Sequence, residues 1–144
     1  MDKHLGNLGM GVIFGMLGGN EDSVKAYRKS VGQFIKSITL QNKEDPEYIK
    51  VVFESGYAIK ILDNGRSCCE TRYITTDDDL PYYTGAILNN IKTESAPNVR
   101  SEDDYDCHEK EFLRIYTSKG VIVFETHNIH NGYYGGFLIE IEEY

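Results

Sequence analysis

The residues best suited to chemistry in this chain are Cys68, Cys69, Cys107, His108, His127 and His130. As metal ligands they are poorly spaced. No pair falls in a Cys-x-x-Cys or His-Glu-x-x-His pattern, and adjacent cysteines in a strand point to opposite faces. Thr126-His-Asn-Ile-His130 could aim two imidazoles from a loop, so Cys68, Cys69, His127 and His130 are the set that zinc or iron would draw on. The same residues offer a thiolate beside an imidazole base, the pairing that nucleophilic catalysis needs. A Cys/His-dependent or metal-dependent small enzyme is therefore one reading. Free thiols and hydrogen-bonding loop histidines are the plainer one, and an odd cysteine count of 3 suits a reducing compartment. Asp77, Asp78 and Asp79 lack the glycine and distal glutamate of a calcium loop and read as helix-capping residues. Neither phosphate-binding glycine pattern follows a strand. No cofactor and no metal is expected.

Asn131-Gly132-Tyr133-Tyr134-Gly135-Gly136 is the most unusual string. Its glycines permit close backbone approach, and its tyrosines offer stacking faces with hydroxyls. Tyr82, Tyr83 and Tyr73 could add to such a rim, with Arg66 and Arg72 as cations. A small anionic aromatic ligand such as a nucleotide would be held there by stacking and guanidinium contacts. A tight turn with one tyrosine in the core is the equal alternative.

These residues need a scaffold, and the sequence pattern supplies one. Tyr48 to Glu54 places Ile49, Val51 and Phe53 on one face, and after Ser55-Gly56 the residues Tyr57, Ile59 and Ile61 repeat the figure, which predicts a hairpin. The figure recurs from Glu111 to Thr126 around Thr117-Ser-Lys-Gly120. Gly32-x-x-Ile35-x-x-Ile38 precedes the first hairpin and Gly85-x-x-Leu88-x-x-Ile91 the second, and an Asn-Gly follows each, at Asn64-Gly65 and Asn131-Gly132. Residues 32–70 and 85–136 thus read as a degenerate duplication whose Asn-Gly loops share one rim. Residues 78–83 predict one helical turn, residues 95–107 a long acidic loop, and Phe137 to Ile141 a last strand. The fold class expected is α+β: a twisted, mainly antiparallel sheet built from two related β-hairpin units, with short N-terminal helices and one short central helix. Residues 1–31 form a Gly-rich helical arm and residues 32–144 a single β-rich domain. Residues 5–19 are too short to span a bilayer, and the spacing of Gly11 and Gly15 suits a homo-oligomer contact through the arm.

With 15 basic and 23 acidic residues among 144, the net charge of −8 opposes direct binding of nucleic acid or anionic membrane. The arm carries a net +1 and the β domain −9, with acids clustered at 77–79, 102–111 and 140–143. Asp77, Asp78, Asp79, Glu102, Asp103 and Asp104 are the candidate face for a basic partner.

At the loops Gly65-Arg-Ser-Cys-Cys-Glu70 and Asn131 to Gly136 the chain resembles a family of small proteins of bacteriophages and their bacterial hosts, a domain of unknown function. That family carries a Gly-x-Cys-Cys-Ser/Glu loop and a distal Asn-Gly-Tyr-Tyr-Gly-Gly loop. The resemblance spans residues 32–141 and leaves the arm outside. Many members have Asp where Ser67 stands and lack the two histidines here, which argues against a shared metal or histidine mechanism. The resemblance implies a phage or mobile-element setting in a bacterial cytoplasm, and no reaction. The function expected is non-enzymatic: antagonism of a host defence system, by acidic, DNA-mimic-like protein binding or by sequestering a nucleotide signal.

Overall fold

Period-two alternation organises the chain into strands. A computed structural model describes residues 21–65, 70–95, 99–100, 107–130 and 136–144, which hold nine strands, one α-helix and one 3₁₀ turn. Helix α1 (Glu21–Ser30) opens on Glu21 and Asp22 and closes on Arg28 and Lys29, so each sign sits at the end whose dipole favours it. Its buried Ser23 accepts a 3.0 Å bond from the Ile141 N–H, and its buried Tyr27 donates 2.6 Å to Asn90. Gly32, at a φ of 92° that a side chain resists, turns the chain out of the helix.

Strands β1 (Ile35–Gln41), β2 (Tyr48–Phe53), β3 (Ala58–Asp63) and β9 (Ile139–Glu143) form one antiparallel sheet in that order. The second sheet runs β4 (Thr71–Thr76), β8 (Gly120–His130), β7 (Cys107–Thr117), β5 (Leu88–Ser95), with β6 (Val99–Arg100) also pairing with β7. The buried residues of both sheets, Ile49, Val51, Phe53, Ile59 and Ile61 from one and Leu113, Ile115, Ile122 and Phe124 from the other, belong to one apolar cluster. The alternation exists because strands β1 to β5 and β7 to β9 each have one face in that cluster.

The connectivity exchanges strands between sheets. β3 leads into β4, which pairs with β8; β8 leads into β9, which pairs with β3. At the other end, where β1 and β5 begin, the sheets touch through reciprocal peptide bonds. Gly32 N–H donates to Leu88 and Gly85 N–H to Ile35, each at 2.7 Å, while Ile35 N–H donates to Ala86 and Leu88 N–H to Gln33. Each bond maps onto its counterpart by a shift of 53 residues, as do the irregularities at Ile35/Ser37 and Leu88/Asn90 and the bridge between Phe34 and Ile87.

Four expectations change. There are two sheets rather than one. Thr71 to Thr76 is a strand that the sequence reading missed, because a charged Arg72 occupies an inward position. β7 and β8 run eleven residues each, well beyond the expected hairpin, and β7 consumes the end of the acidic loop. The central turn is a 3₁₀ turn at Leu80–Tyr83 with Pro81 in it, and Asp79 at its cap position makes no side-chain capping bond. The first segment of the arm, residues 1–20, lies outside the described residues.

Candidate functional site

β3 ends and β4 begins at the same end of the molecule at which β8 ends and β9 begins, and a polar cluster fills the space between the sheets there. β4, β8 and β7 each turn a polar residue inward at this end, since Arg72 is opposite Asn128 and Asn128 is opposite Glu109. Arg72 is the hub. Its Nη1 donates to Asp63 Oδ2 at 2.6 Å and to the Gly136 carbonyl at 3.0 Å, and its Nε and Nη2 grip the two Glu70 oxygens at 3.1 and 3.0 Å. Asp63 Oδ1 accepts the N–H groups of Gly65 and Leu138, tying both crossovers to β3. Beside this, Glu109 Oε1 takes the Gly136 N–H at 2.8 Å and faces His130 Nε2 at 2.9 Å, an arrangement that puts a proton on that nitrogen.

The electrostatics follow from burial. Burial by itself raises the Glu70 carboxyl, but the bonds from Arg72 and Asn128 outweigh it and hold Glu70 below the usual carboxylate range. Burial likewise opposes the Arg72 charge, and Glu70 and Asp63 more than restore it. Glu111, inward on β7 with no ion pair among the described residues, is pushed up to about 7 by burial and then by the charges of Asp63 and Glu109. Asn128 is fully buried, and its Oδ1 has no hydrogen-bond partner among the described residues.

A cleft of about 230 Å³ opens on this cluster, lined by Asp45, Pro46, Glu47, Asp63, Gly65, Glu70, Arg72, Tyr73 and Ile74. Four of these are acids, and the one cation has four of the five N–H groups of a guanidinium engaged. The carboxylates of the lining thus outnumber its cation. Arg72, read from the sequence as a phosphate-binding cation, is already neutralised by its two carboxylates.

The other sequence-derived residues disperse. His127 and His130 are three apart on one strand and so face opposite sides of β8, which removes them as a paired metal or catalytic unit. His127 stacks on Tyr73 outside the sheet, ring centroids 4.3 Å apart, with Thr75 Oγ1 2.9 Å from its Nε2 and His108 3.0 Å from its Nδ1. Burial, then the neighbouring His108, pushes its pKa down, so it is a neutral, hydrogen-bonded ring. Among the described residues, no group of three or more His, Cys, Asp or Glu is placed to hold a metal. Tyr83 reaches the Val121 carbonyl and the Tyr82 carbonyl accepts from Lys119, so both sit by the β7–β8 turn. Seven residues of β8 separate Val121 from Asn128, roughly 23 Å at strand spacing, and no rim unites these tyrosines with Arg72. Asp78 accepts the Val123 N–H at that same far end, with Asp77 and Asp79 exposed beside it. The third acidic cluster is spent internally, Glu142 on Lys60, Glu143 on Tyr57 and Lys29, and Glu140 on Asn64. Arg66, Cys68, Cys69, Glu102, Asp103, Asp104, Asn131, Gly132, Tyr133 and Tyr134 lie outside the described residues.

Sequence reasoning overlooked Asp63, Glu70, Glu109, Glu111 and Asn128. For Asp63 the signal was present, since it continues the inward phase of Ile59 and Ile61 on β3. Glu109, Glu111 and Asn128 likewise stand in the inward phase of β7 and β8, in line with Leu113 and Phe124, whereas Glu70 precedes β4 and gave no such signal.

The profile of a family described as "Domain of unknown function (DUF7448)" matches residues 28–139. The chain belongs to this family. Comparison with curated proteins and with solved structures gave no match. The DUF7448 match begins at the end of α1 and stops at the first residue of β9, so it takes in the whole Arg72 cluster. Among the described residues of this DUF7448 chain, no helix is long and apolar enough to cross a membrane.

Proposed function

We propose that this DUF7448 protein is a non-enzymatic binding protein that recognises a cationic segment of a protein partner at the crossover end. The observation that carries the reading is the cleft itself, lined by the four carboxylates of Asp45, Glu47, Asp63 and Glu70 and by the single cation Arg72. A further positive group gains Coulomb energy there, whereas a phosphate would meet a surplus of carboxylates. The net charge of −8 extends the same preference over the molecule. In the phage or prophage setting that the loop resemblance implies, the partner is the basic nucleic-acid groove of a host defence protein, with this chain as its acidic competitor. Gly65 and Gly136, the described ends of the two resemblance strings, both lie against Arg72. We read the 53-residue correspondence as a duplicated unit that has exchanged its last strand. The nucleotide-sequestering reading loses Arg72, and no described residue replaces it.

The test uses a fluorescent octapeptide of alternating lysine and threonine, its glutamate counterpart, and ATP. Saturable binding of the lysine peptide that weakens with salt, and that falls about tenfold in a combined Asp45→Asn, Glu47→Gln protein, is the expected result. Glu102→Gln, Asp103→Asn and Asp104→Asn together measure the share of the acidic run. Preference for ATP, or lysine-peptide binding indifferent to the cleft substitutions, overturns the reading.

A further inference from the structure

The cleft has a second property that charge alone does not explain: one of its walls is the backbone of β4. Residues 72, 73 and 74 are consecutive in the lining, as happens when a strand's edge, not its face, bounds a groove. β4 is the last strand of its sheet, paired with β8 on one side. The N–H of Ile74 points away from β8, because it donates to the side chain of Glu47 at 3.0 Å. In an antiparallel pair the outward peptide groups recur every second residue, so those of Arg72 and Thr76 also point away from β8. Among the described residues Glu47 is the one partner shown on this edge, a side chain that stands where a neighbouring strand's carbonyl would be. A carboxylate laid along a terminal strand is the device by which proteins keep such an edge from pairing with other chains.

Resting on the cationic-partner reading above, we propose that the β4 edge is a strand-addition site for an extended segment of the partner bearing lysine or arginine at alternate positions. The segment's carbonyl replaces Glu47 at the Ile74 N–H, and the released carboxylate turns to a basic side chain. In an antiparallel added strand, residues opposite Arg72 and Ile74 share their inward direction, so their side chains project toward Asp63 and Glu70. The basic residues are therefore the ones whose peptide N–H groups bond to β4. The residues between them lie on the outer face beside Tyr73 and point their N–H groups to water. Main-chain bonds supply affinity and the acidic pockets supply the preference for charge, as in other strand-addition complexes.

The lysine–threonine octapeptide tests this in three forms: unmodified, N-methylated at every lysine nitrogen, and N-methylated at every threonine nitrogen. All three keep the charge. Methylation at lysine is expected to weaken binding at least about tenfold, because it removes the N–H groups facing β4, and methylation at threonine to leave it within about threefold. Amide hydrogen exchange is expected to slow at Arg72 on binding the unmodified form. If all three bind alike, strand addition is overturned while the cationic-partner reading stands. If none binds, the cationic-partner reading itself fails. Loss that is equal for both methylated forms also overturns the proposal, since the register it requires distinguishes them.

Discussion

At the end where β1 and β5 begin, four peptide hydrogen bonds of 2.7–3.0 Å join the two sheets, with Ile35, Ala86 and Leu88 fully buried around them. At the crossover end the same task falls to Arg72, Asp63, Glu70, Glu109 and His130. Peptide pairing uses groups that every residue carries, needs little side-chain ordering and changes little with pH. The ionic cluster must desolvate several charges and is favourable only while complete. Uniform, repeated geometry at one pole and a costly, asymmetric polar cluster at the other is the distribution expected when one pole builds the fold and the other serves a ligand.

Removing the hub should break this contrast most strongly. In Arg72→Leu the carboxylates of Asp63 and Glu70, whose side chains are 6% and 2% exposed, lose their counterion. A loss of about 3–5 kcal/mol is expected in urea unfolding, as for other buried pairs broken on one side. Adding Asp63→Asn and Glu70→Gln to the same protein should restore part of it by removing the stranded charges. A loss under about 1 kcal/mol would mean that the crossover end is solvated and that its cleft is an ordinary surface groove.

The backbone pole is probed by Gly32→Ala and Gly85→Ala. Their φ angles are 92° and 88°, and an added methyl meets nothing nearer than Lys119 Nζ at 3.9 Å, so the cost is conformational alone. Each should lose about 1–2 kcal/mol, and the two should lose equal amounts within error, because the positions are equivalent in the 53-residue correspondence. Unequal losses at equal φ would count against that equivalence.

How far the sequence could be read differs between these poles for the same reason. The Gly32 and Gly85 strings were recognisable because glycine is the residue a positive φ selects, and because Ile35 and Leu88 keep the apolar phase. Ile49, Val51, Phe53 and the β2–β3 hairpin were legible through strict alternation. At the crossover end the alternation persists, but charged residues occupy the inward phase, so β4 went unread and Glu109 and Glu111 passed for surface acids. Which acids are buried depends on pairings across 58 residues, as between Glu70 and Asn128, which no local window contains. The cysteine and histidine chemistry drew notice by residue type, yet strand phase divides His127 from His130.

The smallest effect isolates Glu111, a carboxyl of the cluster with no ion pair among the described residues. Glu111 titrates near 7 in the folded chain, from burial first and then from Asp63 and Glu109, against an ordinary value of 4.5. Between those two values the folded state holds a proton that the unfolded chain has released, so stability contributed by neutral Glu111 is complete below about 4.5 and is lost as pH rises through 7. Glu111→Gln is a permanent copy of the neutral form. Below pH 4.5 the variant and the parent should unfold at the same urea concentration; above pH 7 the variant should be the more stable, by about 1 kcal/mol once solvent screening of a partly buried carboxyl is allowed for. The same substitution leaves Arg72, Asp63 and Glu70 in place, so its pH dependence belongs to Glu111 and not to the hub. A difference that is constant with pH would place Glu111 in water, leaving the crossover end with one balanced ion cluster and no proton reservoir to distinguish it from the opposite pole.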